Sequence, residues 1–112
     1  MADLIQHYDG NEEGLIQKIQ EASGLVIVDF FATWCGPCKR LGQQLPHIAE
    51  ENKDVTIIKV DIDENEELAA KYGVSSVPHL YFVKKDGNGF KTFDHFAGAN
   101  VDRINECITK YK

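Results

Sequence analysis

The stretch L-V-I-V-D-F-F-A-T-W-C-G-P-C-K, residues 25–39, places two cysteines two residues apart, directly after a run of apolar side chains. Residues 25–31 are apolar except for Asp29 and are rich in β-branched and aromatic types, which predicts a strand buried on both faces. Residues 36–51 carry apolar side chains at helical spacing, which predicts a helix. The two cysteines therefore lie where a buried strand leads into a helix.

Outside this stretch, the sequence pattern predicts alternating strands and helices in the order βαβαβαββα. An acidic start at Glu12 and Glu13 indicates the first helix. The later predicted elements are a strand at 55–60, a helix at 66–73 that ends at Gly73, hairpin strands at 79–85 and 90–96 around D-G-N-G, and a last helix that begins near Asn100. Such alternation favours a mainly parallel centre, with the hairpin adding antiparallel edge strands. We therefore predict an α/β fold and one domain over residues 1–112.

Composition and charge argue against several classes of partner. The net charge is -6 and the pI is about 5.1, so nucleic acid and anionic membranes repel the chain on average. No stretch approaches the roughly 18 consecutive apolar residues that a membrane span needs. The first basic residue is Lys18, so the start lacks the positive region of a signal peptide, and we expect a cytoplasmic protein. Three unevenly spaced cysteines do not form the disulfide framework of a small secreted domain.

The close cysteine pair suits a bond that is made and broken repeatedly. Residues three apart in a helix have Cα atoms about 5 Å apart, and a disulfide needs roughly 4.4 to 6.8 Å. If Cys35 is the N-cap, the unpaired N–H groups and the helix dipole stabilise its thiolate more than that of Cys38. Pro37 fits the first helical turn, and Gly36 leaves room for an approaching substrate backbone. One alternative is a pair of inert thiols, and another is half of a zinc site. A zinc site needs about four ligands, and the chain has no second C-x-x-C and no H-x3-5-H pattern to supply the others.

Longer motifs identify a family. W-C-G-P-C-K follows V-D-F-F-A-T, and the similarity continues through K-V-D at 59–61, K-Y-G-V-S-S-V-P at 71–78, the D-G hairpin and F-A-G-A-N before the last helix. On these motifs, which cover nearly the whole chain, the sequence resembles the thioredoxin family. The resemblance implies a thioredoxin fold, an α/β architecture with a central mixed sheet of about five strands flanked by four helices. Thioredoxins are a known case of a C-x-x-C thiol with a pKa of about 7, against about 8.5 for a free cysteine.

The resemblance also implies roles for individual residues. Cys35 is the nucleophile that attacks a target disulfide, and Cys38 resolves the mixed disulfide. The position of Cys35 favours the same assignment, because a protein substrate reaches the outer, dipole-stabilised thiol. In thioredoxins the residue that matches Asp29 accepts the proton of the resolving thiol, and burial in an apolar strand raises the pKa of such a carboxyl group. Lys59 matches the lysine that pairs with it. A structural ion pair, or a carboxylate that reaches solvent, is the alternative for Asp29.

A flat, weakly apolar docking patch is predicted around Cys35. Its members are Trp34, Gly36, Pro37, Val77, Pro78, Gly98 and Ala99. An indole in a turn serves recognition more often than core packing. In the family the peptide bond before the residue that matches Pro78 is cis, and the backbone of Val77 would pair with substrate. An ordinary trans proline, and a simple bend at Gly98 and Ala99, are the alternatives.

Four positions depart from the family pattern or lie outside it. Phe31 stands where some thioredoxins have tryptophan. Pro46 comes later in the active-site helix than the usual proline and predicts a kink near Gly42, because its ring removes a hydrogen bond. His79 stands where threonine is commoner and is a possible modulator of thiolate stability or partner choice, with surface decoration as the alternative. Cys107 is expected to be a small buried hydrophobe, with intermolecular disulfide formation or oxidative regulation as alternatives.

The predicted function is that of a general protein-disulfide reductase that cycles between dithiol and disulfide, maintains redox homeostasis and supplies electrons to target proteins. Its expected partners are an NADPH-dependent thioredoxin reductase and disulfide-containing clients such as peroxiredoxin-, ribonucleotide reductase- or methionine sulfoxide reductase-like proteins. We expect a monomer with no metal. The chain has no Gly-rich dinucleotide motif, so we also expect no bound cofactor. The alternatives are a binding module with incidental thiols, and an oxidase or isomerase of the secretory route.

Overall fold

The apolar run before the two cysteines forms the central strand of a five-stranded sheet. The computed structural model describes residues 4–112, so residues 1–3 of the predicted domain lie outside the described residues. The elements are β1 Ile5–His7, α1 Glu12–Glu21, β2 Val26–Phe31, α2 Gly36–Glu51, β3 Thr56–Asp61, α3 Glu66–Lys71, β4 His79–Asp86, β5 Gly89–Ala97 and α4 Val101–Tyr111. The sheet order is β1-β3-β2-β4-β5. Strands β1, β3 and β2 are parallel to one another, and β4 and β5 are antiparallel to their neighbours. The predicted α/β order, mixed sheet and four helices are confirmed.

Strand β2 is buried on both faces, as its apolar sequence predicts. Ile27 packs with buried residues of α2 and α4, and Val26 and Val28 pack on the opposite face with residues of α1 and α3. Successive side chains of a strand point to opposite faces, so Asp29 lies on the same face as Ile27. This position places the carboxyl group of Asp29 under α2, the helix that begins at the cysteines.

Several elements differ in detail from the predicted ones. Helix α3 ends at Lys71, two residues before the predicted end at Gly73. The predicted order βαβαβαββα begins with a strand, but the sequence does not locate it. This strand, β1, has only three residues, too few to show the alternation of apolar and polar side chains that marks a strand. Strand β5 has a bulge opposite the Phe82/Val83 step of β4, which sequence alternation does not predict. In α4, Cys107 is buried beside Ile104 and Ile108, whereas Val101 and Tyr111 are only half-buried. These differences concern edges, where tertiary contacts outweigh the local pattern.

Helix α2 continues through Pro46 to Glu51, so the proline does not end the helix. Its ring lies on the exposed side, away from the core. A proline has no N–H to donate to the carbonyl four residues earlier, which here belongs to Gly42. The bend that Pro46 predicts near Gly42 stays a prediction.

Replacing Pro46 by alanine should stabilise the fold. Proline in a helix interior is about 3 kcal/mol less favourable than alanine, and a freer unfolded chain offsets up to about 1 kcal/mol of this difference. We expect Pro46→Ala to raise the free energy of unfolding in urea by about 2 kcal/mol. Gln44→Ala, at another exposed position of α2, is the control and should change it by less than about 0.5 kcal/mol. No gain for Pro46→Ala would contradict the lost bond at Gly42.

Candidate functional site

Cys35 is the N-cap of α2 and Cys38 lies one turn inside the helix. The backbone of Cys35 is extended, with φ -86° and ψ 114°, and its Sγ accepts a hydrogen bond from the backbone N–H of Cys38 at 3.1 Å. The two side chains form a disulfide, and their Cα atoms are 5.2 Å apart. The predicted N-cap position and Cα spacing are confirmed. An N–H group and the positive end of the helix dipole thus act on the sulfur of Cys35.

Both cysteines are nearly covered by neighbouring residues. Cys35 is 5% exposed and Cys38 6% exposed, and both pack with Ala32. The Sγ atom of Cys35 lies 3.6 Å from the carbonyl oxygen of Val77, in the loop that precedes β4. In the disulfide form this loop lies against the sulfur of Cys35, and the access of a protein substrate to the Cys35 thiol stays a prediction. The N-cap position, and not exposure, distinguishes the two cysteines.

A backbone hydrogen bond joins the loop before β4 to the loop before α4. The Val77–Pro78 peptide bond is cis, as the family resemblance implies. The backbone N–H of Gly98 donates a hydrogen bond to the carbonyl oxygen of Pro78 at 2.8 Å. Gly98 has φ 110°, a backbone conformation that favours glycine. Pro78 itself is buried, while Val77, Gly98 and Ala99 are half-buried. The ring of Pro78 is therefore not part of the exposed surface of the predicted docking patch.

Trp34 is a large exposed side chain of the predicted docking patch. Its side chain is 68% exposed, and its indole Nε1–H donates a hydrogen bond to Oδ2 of Asp63 at 2.8 Å. Gly36 and Pro37 are exposed beside it. This bond holds a large apolar surface at the edge of the disulfide. Asp63 belongs to the acidic run D-I-D-E-N-E-E at 61–67, whose composition predicts only a solvated loop and helix start, so the sequence does not indicate this bond.

Asn65 is a second residue of that acidic run that the sequence does not single out. It is 6% exposed and its amide donates hydrogen bonds to the carbonyl oxygen of Asp61 and to Oδ1 of Asp9. Its own oxygen accepts a bond from the N–H of Gly10. Asn65 thus joins the end of β3 to the loop between β1 and α1. The only sequence signal is an asparagine directly before a predicted helix.

Asp29 and Lys59 lie side by side in register on β2 and β3. Asp29 is 2% exposed, and its Oδ1 has no hydrogen-bond partner. Burial raises the pKa of Asp29 from 3.8 to about 7, and the positive charge of Lys59 acts in the opposite direction. The ammonium of Lys59 lies 4.5 Å from the ring centroid of Phe31, and the ion pairs of residues 4–112 include none between Lys59 and Asp29. Asp29 is thus a buried carboxyl group that exchanges its proton near neutral pH.

The sequence and the fold are similar to those of known proteins. A model of the thioredoxin family matches residues 7–110. The chain belongs to the thioredoxin family. A thioredoxin of Echinococcus granulosus is 45% identical over 105 residues, which span 94% of this chain and 92% of that protein. One from Chlamydia trachomatis is 56% identical over 92 residues, which span 81% and 86%. The solved structure of Trichomonas vaginalis thioredoxin superposes with a TM-score of 0.94 at 62% identity and covers 99% of this chain and 100% of its own.

Thioredoxins are dithiol–disulfide oxidoreductases, and the Cys35–Cys38 pair has the spacing of their active site. The membership supports protein-disulfide reductase activity through this motif. Among residues 4–112, no three or more His, Cys, Asp and Glu side chains are grouped as a metal site would require. Within the same part of the chain, every helix is too short or too polar to span a bilayer.

His79 departs from the common thioredoxin pattern, and its side chain is directed away from the thiols. It pairs across strands with Phe30, so it lies on the sheet face opposite Asp29. Its ring stacks on Tyr81 at 4.9 Å, and its Nε2 lies 3.1 Å from Nδ1 of His95. Burial, and then the charge of His95, lower the pKa of His79. A modulating role of His79 stays a prediction, and it would act through the strand that follows Pro78.

Cys107, the third cysteine of this thioredoxin, is buried in α4 and free. Its Sγ lies 3.6 Å from Oδ2 of Asp94. Burial raises the pKa of the Cys107 thiol, and the neighbouring Asp94 carboxylate adds to this effect. Thiolate is the reactive form of cysteine, so a raised pKa and a covered position make Cys107 slow to react. The placement agrees with the predicted role as a small buried hydrophobe.

The raised pKa of Asp29 predicts a pH-dependent effect of Asp29→Asn on stability. Between about pH 4 and pH 7 the unfolded chain has Asp29 ionised while the folded protein keeps the proton, so native stability falls as pH rises through this range. Asparagine carries no charge in either state. In the disulfide form, we expect Asp29→Asn to be more stable than the native protein by roughly 4 kcal/mol at pH 8.

The gain should shrink to less than about 1 kcal/mol at pH 4 and vanish below about pH 3, where the carboxyl group of Asp29 is protonated in both the folded and the unfolded state. Guanidinium unfolding of both proteins at pH 4, 5.5 and 8 measures the difference, and the comparison cancels titrations that the two chains share. A difference that does not change with pH would contradict the burial of an ionisable Asp29.

Proposed function

We propose that this thioredoxin reduces client disulfides through Cys35 as the nucleophile and Cys38 as the resolving thiol. The hydrogen bond from the N–H of Cys38 to the Sγ of Cys35, at 3.1 Å, is the observation that carries the proposal. In the dithiol form, the same N–H and the helix dipole favour the Cys35 thiolate, which is the species that attacks a disulfide. Cys38, inside the first turn and buried, has no comparable N-cap position.

The first step forms a mixed disulfide. The Cys35 thiolate attacks one sulfur of the client disulfide, a new S–S bond forms, and the second client sulfur leaves as a thiolate that takes up a proton. A client is expected to dock on the exposed Trp34, Gly36 and Pro37, with its backbone beside Val77. The carbonyl of Val77 is 3.6 Å from the Cys35 sulfur, so a strand of the client that pairs there lies next to the reacting atoms.

The second step closes the cycle. Cys38 loses its proton, and its thiolate attacks the Sγ atom of Cys35; the Cys35–Cys38 disulfide forms and the client leaves with both cysteines reduced. Asp29 is the proposed acceptor of that proton, since its pKa of about 7 suits exchange near neutrality. Lys59, in register with Asp29, supplies the positive charge that opposes the effect of burial.

The reduced state is regenerated by a separate protein. We propose an NADPH-dependent thioredoxin reductase, which delivers two electrons and two protons to the Cys35–Cys38 disulfide. The proposed clients are disulfide-containing proteins of the peroxiredoxin, ribonucleotide reductase and methionine sulfoxide reductase classes. The protein would act as a monomeric single domain of residues 1–112 in the cytoplasm, where it transports electrons and maintains redox homeostasis.

Trapping with Cys38→Ser tests the assigned roles. Without the resolving thiol, the mixed disulfide on Cys35 has no internal path of release and should accumulate. We expect Cys38→Ser, in a Cys107→Ser background, to form a covalent adduct with insulin that reductant dissolves, detected by mass spectrometry. The Cys107→Ser protein with both active-site cysteines should reduce insulin at the unmodified rate with dithiothreitol as donor.

Cys35→Ser in the same background is the matched control and should form no adduct. An adduct on Cys38 in the Cys35→Ser protein, at the rate seen for Cys35, would overturn the assignment of roles. Unchanged insulin reduction after replacement of both cysteines would overturn the reductase function itself and favour a binding module.

A further inference from the structure

We propose that Phe31 is a positioning residue that holds the ammonium of Lys59 over its ring and thereby controls how strongly Asp29 binds its proton. The role of Asp29 in catalysis belongs to the proposed function above, and the present inference rests on that role only for its consequence for turnover. The placement of the Lys59 ammonium over the Phe31 ring is independent of that role and is seen in the contacts of Lys59 with Phe31 and Gly42.

The strand register places the three side chains on one face of the sheet. Asp29 is aligned with Lys59 across β2 and β3, and Phe31 follows two residues after Asp29. Side chains two residues apart in a strand share a face, and diagonal neighbours on adjacent strands are within reach of long or aromatic side chains. Lys59 can therefore extend either toward the carboxyl group of Asp29 or over the ring of Phe31.

The observed position of Lys59 favours the ring. Its Nζ lies 4.5 Å from the ring centroid of Phe31, within the roughly 6 Å over which an aromatic face attracts a cation. Meanwhile Oδ1 of Asp29 is buried without a hydrogen-bond partner. The positive charge is thus near Asp29 but does not form an ion pair with it. A carboxyl group in this state is stabilised in its neutral form more than a paired one would be.

Two neighbours adjoin the ring of Phe31 and the ammonium of Lys59. His7 packs edge-on against Phe31, with ring centroids 6.1 Å apart and planes at 80°, so one side of the Phe31 ring is in contact with an imidazole. On the helix side, a Cβ atom at Gly42 would lie 3.7 Å from the Nζ of Lys59. The missing side chain at Gly42 leaves space at the surface of α2, and the ammonium lies beside that space.

Other groups around Asp29 offer no comparable positive charge. On the same face of β3, Asp61 is aligned with Phe31, and its Oδ1 accepts a hydrogen bond from the backbone N–H of Asp63 at 2.9 Å. From β4 its cross-strand neighbour is Leu80, and α2 directs Cys38, Leu41 and Leu45 into the core. Cys38 is held in the disulfide, and His7 is aligned with Lys59 on the far side of β3. Lys59 is the one charged group described here whose charge opposes the effect of burial on Asp29. Its distance from the carboxyl group is therefore the quantity that Phe31 can control.

The test is the titration of Asp29 by carboxyl-carbon NMR in the disulfide form, where neither Cys35 nor Cys38 titrates. Phe31→Leu removes the aromatic face and frees Lys59 to approach the carboxylate, so we expect the pKa of Asp29 to fall by roughly one unit. Phe31→Trp keeps an aromatic face and should leave the titration near its native position. Phe31→Met is a second non-aromatic variant should Phe31→Leu fold poorly.

Lys59→Met supplies the control that separates positioning from packing. If Phe31 acts through Lys59, Phe31→Leu should no longer lower the pKa of Asp29 in the Lys59→Met background. The same fall in both backgrounds would overturn the proposal and indicate that the ring only excludes water. An unchanged or raised pKa in both non-aromatic variants would overturn it as well. Because this titration uses the disulfide form, its outcome is independent of whether Cys38→Ser traps a client.

The consequence for turnover has its own readout. The pH profile for release of insulin from a preformed mixed disulfide on Cys35 should shift to lower pH in Phe31→Leu, in step with the NMR titration of Asp29. If the titration shifts and the release profile does not, Phe31 positions Lys59 but Asp29 is not the proton acceptor.

Discussion

The structure depends on one constraint: a helix must begin at Cys35 so that the backbone N–H of Cys38 points at the Cys35 sulfur. This single hydrogen bond of 3.1 Å gives Cys35 a different electrostatic environment from Cys38, although the two side chains are almost equally buried. It also places the two Cα atoms 5.2 Å apart, a separation that a disulfide accepts. The elements around the two cysteines position the start of α2 and cover the Cys35 sulfur. A central strand buried on both faces brings the chain to the start of α2, and the loop with Val77 closes over the sulfur.

The face of the sheet beneath α2 carries the second chemical element of the site. Asp29 is a carboxyl group among apolar neighbours, and the positive charge that could pair with it lies over Phe31 instead. A buried carboxyl group that lacks a direct partner is unfavourable for stability, because its charged form loses hydration. The same feature makes its proton exchangeable near neutral pH. Stability is therefore reduced at the position where the proposed mechanism needs a proton acceptor, a combination that is common at functional sites.

Local features of the site and most of the fold could be predicted from the sequence. Helix geometry determines the separation of Cys35 and Cys38, and an isolated acid in an apolar strand indicates that Asp29 is buried. Features that arise from contacts between distant segments could not be predicted. They include the bond from Trp34 to Asp63, the burial of Pro78, and the position of Lys59 over Phe31, which depends on the register of β2 against β3. The cover over the Cys35–Cys38 disulfide belongs to the same group, since it comes from a loop 42 residues after Cys35.

The most direct measurement of the central claim is the ionisation of Cys35 in the reduced protein. The rate of its alkylation by iodoacetamide, followed by mass spectrometry from pH 5 to pH 10 in a Cys107→Ser background, reports the fraction of thiolate. The account predicts that this rate reaches half its maximum at least about one unit below the pKa of about 8.5 of a free cysteine, and that Cys38 reacts more slowly throughout. A midpoint at or above about 8.5 for Cys35, or faster alkylation of Cys38, would contradict it.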